Sequence, residues 1–385
     1  MRLIESLSQN RVVVTTGTGG VGKTTVSCSM AIALAHSKNA KVLVITIDPA
    51  KRLGTVLSEQ NLGHEPKKID HSKFFDNKID VKGELYGVTV DMSKGWDELI
   101  NRFADSKEDA TKILQNTMYQ NLTTRFTHSH DFIAMDQLYE YYYRGEYDYI
   151  ILDTPPMSQA LDFFDAPKII SEFFGGKIIG LVTSPYRLSQ TSKRAKIFDI
   201  ASKPFFTIAN KVLGETFLND IGEFFYLFKK IYSTLVQRAN DINEFLKSDS
   251  LGCTYIMNPL QYIEKDYEIV LSKLSSRSLK ISNMVINMLP FSDSDATLVK
   301  DYIESSKNEL LNKAMSEYLE KELEIVQEVQ NRLNMGSTGF TNSDNSINDD
   351  QLEVFLVPKS YEIDLSMRLT YLVDLVLESM SANKD

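Results

Sequence analysis

The stretch Gly17-Thr18-Gly19-Gly20-Val21-Gly22-Lys23-Thr24 matches the phosphate-loop pattern GxxxxGK[ST] at every fixed position. Val12-Val13-Val14 leads into it as a short buried strand, and Thr24 to Ala35 leaves it as a helix with small and apolar residues along one face. Strand, loop and helix are the context the pattern requires. The glycines let the backbone curl around a phosphate chain with its N–H groups turned inward, and the helix N-terminus adds positive potential there. Lys23 brings a charge to the β- and γ-phosphates, and the Thr24 hydroxyl is placed to ligate Mg²⁺. The reading is therefore an α/β fold of the P-loop NTPase type, a mostly parallel sheet flanked by helices, binding a nucleoside triphosphate with Mg²⁺.

Outward from the loop, strand-like runs end repeatedly in residues that carry chemistry. Lys41 to Ile47 (KVLVITI) runs straight into Asp48-Pro49-Ala50. Open α/β sheets bind ligands outside the carboxyl ends of their strands, so Asp48 is expected in the same crevice as the loop; an ordinary strand-end turn is the alternative. Tyr149 to Leu152 delivers Asp153 in the manner of a Walker B strand, which is a weak pattern alone and a strong one beside a phosphate loop. Leu85 to Val90, Thr254 to Met257, Met284 to Asn287 and Leu352 to Val357 supply further strands, the last ending at Pro358.

Between strands the pattern is helical. The segments expected are 1–92 and 147–165 for the ATPase core, 93–146 for a helical insertion, 166–248 for a helical subdomain, and 249–385 for the rest of the core, with a flexible loop at 335–350. Residues 58–84 read as irregular, Ile263 to Leu274 as one helix, Asp295 to Leu333 as a long amphipathic helix and Tyr361 to Met380 as a closing one. In the subdomain, Phe217, Ile221, Phe224, Phe225, Phe228, Ile231, Tyr232, Leu235, Ile242 and Phe245 recur at three- and four-residue steps. Such a stripe is either helical core or the wall of a groove for an apolar protein client. The run His128-Ser129-His130-Asp131 reads as polar surface, with a metal site as the less favoured alternative.

Composition removes other classes. A net charge of −10 and a pI near 5.2 argue against nucleic acid or an anionic membrane as the main partner. Cys28 and Cys253 are too few and too far apart for a disulfide framework or a four-cysteine zinc site within the chain. The first residues lack the apolar core of a signal peptide, and no run reaches the length of a membrane span, so a cytoplasmic location is expected.

The residues at this point carry a resemblance. GTGGVGKTT at 17–25, IDPAKRL at 47–53, ILDTPPMSQALDFFDAP at 151–167, Asn287 and Val357-Pro358 are similar, in order and across nearly the whole chain, to the ArsA-type ATPases of the deviant Walker A class that includes MinD. The third motif resembles most an anion-transporting bacterial branch rather than the branch that targets tail-anchored proteins. The resemblance implies an ATPase, a homodimer or a heterodimer with a related subunit that closes on Mg-ATP and acts as a switch. It implies catalytic roles for Asp48, Lys23 and Asp153, with Asp48 placing the attacking water. It also implies nucleotide contacts from Gly19, Gly20, Val21, Gly22, Lys23, Thr24 and Thr25, Mg²⁺ held around Thr24, Asp48 and Asp153, and adenine flanked by Asn287 and Pro358.

The chain departs from that pattern in three ways. The family loop usually reads GKGGVGKT, and the first lysine, which reaches the partner subunit's nucleotide, is Thr18 here. Such a cation in trans resembles an arginine finger, so the chain turns over slowly, uses another cation such as Arg52, or takes the lysine from a different subunit. The zinc-binding cysteine pair of the targeting branch and the arsenite-binding cysteine cluster of the pump branch are both missing. An arsenite pump subunit is disfavoured. A nucleotide-binding interaction protein with little hydrolysis stays open as a second reading, and a small-molecule kinase on the same loop as a third.

Overall fold

The structure, a computed structural model, describes residues 2–47, 52–59, 62–75, 82–117, 119–120, 127–175, 215–290, 309–334, 352–358, 372–374 and 376. The chain forms two compact units, one of Met1–Val90, Tyr141–Leu161 and Leu246–Asp385, the other of Asp91–Glu140 and Asp162–Phe245.

Among the described residues the first unit is built on eight strands: β1 (Val12–Gly17), β2 (Lys41–Thr46), β3 (Lys67–Ile69), β4 (Glu84–Thr89), β5 (Tyr149–Asp153), β6 (Leu251–Met257), β7 (Ile281–Leu289) and β8 (Glu353–Pro358). Their order across the sheet is β3-β4-β2-β5-β1-β6-β7-β8. All neighbours run parallel except β3 and β4. The mostly parallel sheet of a P-loop NTPase is thus observed. Every residue of β1 is buried, as expected of a central strand covered on both faces. The two faces separate by the two-residue period of a strand. Ile256, Val285, Phe355 and Val357 join one apolar cluster with the helix Lys23–Lys38, and Tyr255, Met257, Met284, Ile286 and Val354 join another with Val326 and Val329 of the helix Glu309–Asn334.

Topology aligns the site. From β1 the chain winds towards β2 on one side and later places β6 on the other, so β1 stands where the winding reverses, and a ligand crevice opens at such a point beyond the carboxyl ends of the strands. The register sets Thr15 of β1 and Thr46 of β2 on either side of Asp153 of β5. Farther along the edge, Leu289 of β7 stands opposite Pro358, past an irregularity that takes Met288 into the left-handed region at φ 63°.

Two expectations need correction. Residues 58–84 are not wholly irregular: Lys67–Ile69 adds an antiparallel edge strand, whose three residues give too short an alternation to stand out in sequence. The helix expected from Ile263 to Leu274 is two helices, Pro259–Ile263 and Asp266–Ser275, broken where Lys265 takes φ 61°.

Among the described residues the second unit is helical. Asp91 caps Met92–Phe103 by accepting from the N–H groups of Ser93 and Lys94, and Ser106 caps Lys107–Gln115 by accepting from Asp109. The helices Thr127–Arg144, Met157–Gly175 and Glu215–Leu246 contribute to it up to Glu140, from Asp162 and up to Phe245 respectively. Trp96 and Phe132 pack with ring centroids 6.0 Å apart, and Tyr139 meets Phe245 at 5.5 Å. Phe228, Ile231, Leu235, Ile242 and Phe245 are buried, so this half of the aromatic stripe is core. The side chains of Phe217, Ile221, Phe224 and Phe225 lie outside the described residues, as do those of His128 and His130. Among the described residues no group of three His, Cys, Asp or Glu is arranged to hold a metal. A charged cluster ties three helices: Asp136, buried, accepts from Arg102 (2.5 Å) and Arg238 (2.6 Å), and Glu140 pairs with both arginines at 2.7 and 2.6 Å. Arg238 also lies over the Tyr139 ring, 4.4 Å from its centroid.

Candidate nucleotide site

The phosphate loop leaves β1 at Gly17 and enters the helix Lys23–Lys38 through Gly22, its N-cap. Gly22 has φ 82°, and a Cβ there would lie 2.6 Å from Nδ2 of Asn287. The loop needs glycine at this position for conformation and for room. A Cβ on Gly20 would meet nothing within 4 Å, so the loop presents its tip to open space.

Inside the loop, the Lys23 ammonium donates to the carbonyl of Thr18 (2.9 Å), folding back across the concavity where phosphates would sit. The Thr24 hydroxyl donates to Oδ2 of Asp153 (2.7 Å), which also accepts from Thr46 at 3.3 Å. The ends of β2 and β5 and the first turn of a helix therefore meet at one buried carboxylate. A hydroxyl and a carboxylate at this separation form the oxygen donor set that suits Mg²⁺. Behind them, hydroxyls lock the strands to the helix: Thr154 donates to the Thr15 carbonyl (2.7 Å), the Thr15 and Ser27 hydroxyls share a hydrogen bond (2.7 Å), and Ser27 donates to the Lys23 carbonyl (2.8 Å). Next to this seam Cys28 is fully buried, and its thiol is pushed well above the usual range by burial first and by the Asp153 charge second.

Two amide side chains from the far side of the sheet brace the loop. Asn287, buried at the end of β7, donates through Nδ2 to the Val21 carbonyl (2.8 Å). Gln261, in the short helix after β6, donates through Nε2 to the Thr18 hydroxyl (2.7 Å).

The structure thus brings together Gly19, Gly20, Val21, Gly22, Lys23, Thr24, Asp153 and Asn287 of the residues named from sequence. Thr25 stands on the loop helix, its carbonyl accepting from Ser29 (2.8 Å). Pro358 closes β8, and its side chain lies outside the described residues, as does Asp48 altogether. Gln261, Thr46 and Thr15 were missed. Asn258-Pro259-Leu260-Gln261 does carry a capping-box signal, but nothing in it points 243 residues back to Thr18.

A complete phosphate loop at the reversal point of a mostly parallel sheet, with a Walker B carboxylate hydrogen-bonded to its threonine, defines a fold of the P-loop NTPase type. Comparison with known proteins narrows this. A family model described as anion-transporting ATPase, ArsA ATPase, matches residues 10–329, and the chain belongs to that family. It is 26% identical over 291 residues to the ATPase GET3 of Ajellomyces dermatitidis, covering 74% of this chain and 75% of that one. The ATPase GET3 of Rhodotorula glutinis is 30% identical over 43% of each chain. A Halobacterium salinarum protein, provisionally named an arsenical pump-driving ATPase, is 24% identical over 51% of this chain and 30% of its own length. The chain therefore spans less than half the length of the last two relatives. Among the described residues no helix is long and apolar enough to cross a membrane.

Proposed function

We propose that the chain hydrolyses Mg-ATP and uses its nucleotide state to control a partner or client through its helical unit, as a homodimer or as one half of a heterodimer, in the cytoplasm. The observation that carries this reading is the contact of Thr24 Oγ1 with Asp153 Oδ2 at 2.7 Å, at the mouth of a loop whose lysine already folds over the phosphate position. Lys23 and the loop N–H groups neutralise the phosphate oxygens and orient the chain of phosphates. Thr24 and Asp153, with Asp48 nearby in sequence beyond β2, would hold Mg²⁺, which would supply charge neutralisation to the phosphate oxygens. Asp48 places the attacking water. Asn287 and Pro358, at the ends of the neighbouring strands β7 and β8, flank the adenine.

The departure at Thr18 favours one second reading, a subunit that binds ATP but depends on another chain for hydrolysis. Phosphate release from Mg-ATP by wild type, Thr18→Lys and Asp48→Asn, with the dimer fraction recorded for each, separates the two. Turnover by wild type that Asp48→Asn abolishes supports the first reading. Binding without turnover, with activity appearing in Thr18→Lys, supports the second. Absence of ATP binding refutes both.

A further inference from the structure

The Thr18 hydroxyl occupies the family's lysine position, and it is not idle. Gln261 Nε2 donates to Thr18 Oγ1 at 2.7 Å, across 243 residues of chain. The orientation of that amide is set from its other end. Gln261 Oε1 accepts from the Asn258 backbone N–H (3.1 Å), while Asn258 Oδ1 accepts from the Gln261 N–H (2.9 Å), a reciprocal capping box that starts the helix Pro259–Ile263. With Oε1 committed to the cap, the nitrogen end has to face Thr18, and it donates. Thr18 Oγ1 then acts as an acceptor towards Gln261, so its own proton is directed elsewhere; among the described residues none takes it. The Thr18 carbonyl is meanwhile held by Lys23 (2.9 Å), so both polar ends of the residue are pinned.

We infer that Gln261 is a positioning residue for the phosphate loop: it fixes Thr18 so that the loop tip is preformed and the hydroxyl proton is offered to a phosphate oxygen of the bound nucleotide. This inference rests on the proposed nucleotide site and adds to it a residue outside every family motif named above. Where a lysine would be a mobile cation reaching away from its own loop, Thr18 is a short neutral donor tied within its own chain. The loop is ordered before nucleotide arrives, and less ordering entropy is lost on binding.

The test measures ATP affinity calorimetrically in the presence of Mg²⁺ for the full chain, together with the thermal midpoint without nucleotide. Thr18→Val removes the hydroxyl at nearly constant volume, and Gln261→Met removes the amide without adding charge. Each is expected to weaken ATP binding about five- to ten-fold, the worth of one hydrogen bond, and the double variant to be no weaker than the poorer single. Thr18→Ser, returning the hydroxyl, recovers most of the loss. Asn258→Ala, which weakens the cap but leaves the backbone N–H that orients Gln261, lowers the thermal midpoint and changes affinity less than two-fold. Affinities unchanged in both single variants, or losses that add fully in the double, overturn the inference. Equal losses in Asn258→Ala and Gln261→Met also overturn it, since helix capping would then be the whole effect. If wild type itself binds no ATP, the proposed nucleotide site falls first, a result distinct from all of these.

Discussion

Replacing Gly22 by alanine sets two costs against each other in a way the structure makes measurable. The residue has φ 82°, where a side chain costs roughly 1–2 kcal/mol. The new Cβ would lie 2.6 Å from Asn287 Nδ2, so the amide has to move. Moving it breaks the 2.8 Å bond to the Val21 carbonyl, and Val21 is 1% exposed. Leaving that carbonyl unsatisfied costs about 1–3 kcal/mol. Gly22→Ala should therefore destabilise the first unit by about 2–5 kcal/mol, the sum of the conformational and hydrogen-bond terms. Asn287→Ala alone loses the same hydrogen bond. In Gly22→Ala with Asn287→Ala the clash is gone and the bond is lost only once, so the double variant should be less destabilised than the sum of the singles by about 1–3 kcal/mol. Chemical denaturation followed by circular dichroism gives the midpoints, and native proteolysis between the units reports whether the loss lies in the sheet unit. Strict additivity of the two substitutions would refute the close approach of Gly22 and Asn287.

Three further outcomes follow from other contacts. Asp153→Asn keeps the shape of the β5 end but halves its capacity to accept from Thr24 and Thr46, and steady-state phosphate release should fall at least 100-fold while ATP without Mg²⁺ binds within a few-fold of wild type. Asp136→Ala leaves the guanidinium groups of Arg102 and Arg238 without the buried carboxylate between them, and should lower the stability of the helical unit by about 3–5 kcal/mol in the same denaturation experiment. Burial pushes the Cys253 thiol and the Tyr255 hydroxyl up, each to about 12. Both stay protonated when folded and ionise earlier when unfolded, from their ordinary values of 9.0 and 10.0. Their stabilising contribution is thus complete below pH 9 and lost between there and pH 12, at about 1.4 kcal/mol per pH unit for each group. Unfolding midpoints that stay level from pH 9 to pH 11 would contradict this, and so would rapid labelling of Cys28 or Cys253 by a thiol reagent in the native protein.

Sequence alone determined the parts whose physics is local. The spacing of Gly17, Gly22, Lys23 and Thr24 is a property of one loop, legible because only glycine permits the backbone to curl there and only a strand and a helix can flank it. The apolar runs ending in Asp48 and Asp153 announce parallel strands for a similar reason: a strand buried on both faces has little choice but to be apolar throughout. The tertiary structure decided what depends on register and on chain segments meeting from far away. Lys67–Ile69 is a strand because Glu84–Thr89 offers it an edge, not because its three residues favour one. Whether the aromatic stripe from Phe228 onward is groove or core was settled by what packs against it, which periodicity cannot disclose. Gln261 and Asn287 brace the loop from 243 and 266 residues away. A glutamine in a helix cap and an asparagine at a strand end are common, and only the order β1-β6-β7 in the sheet sets both beside the phosphate loop, where an amide can choose between solvent and the backbone of Thr18 and Val21.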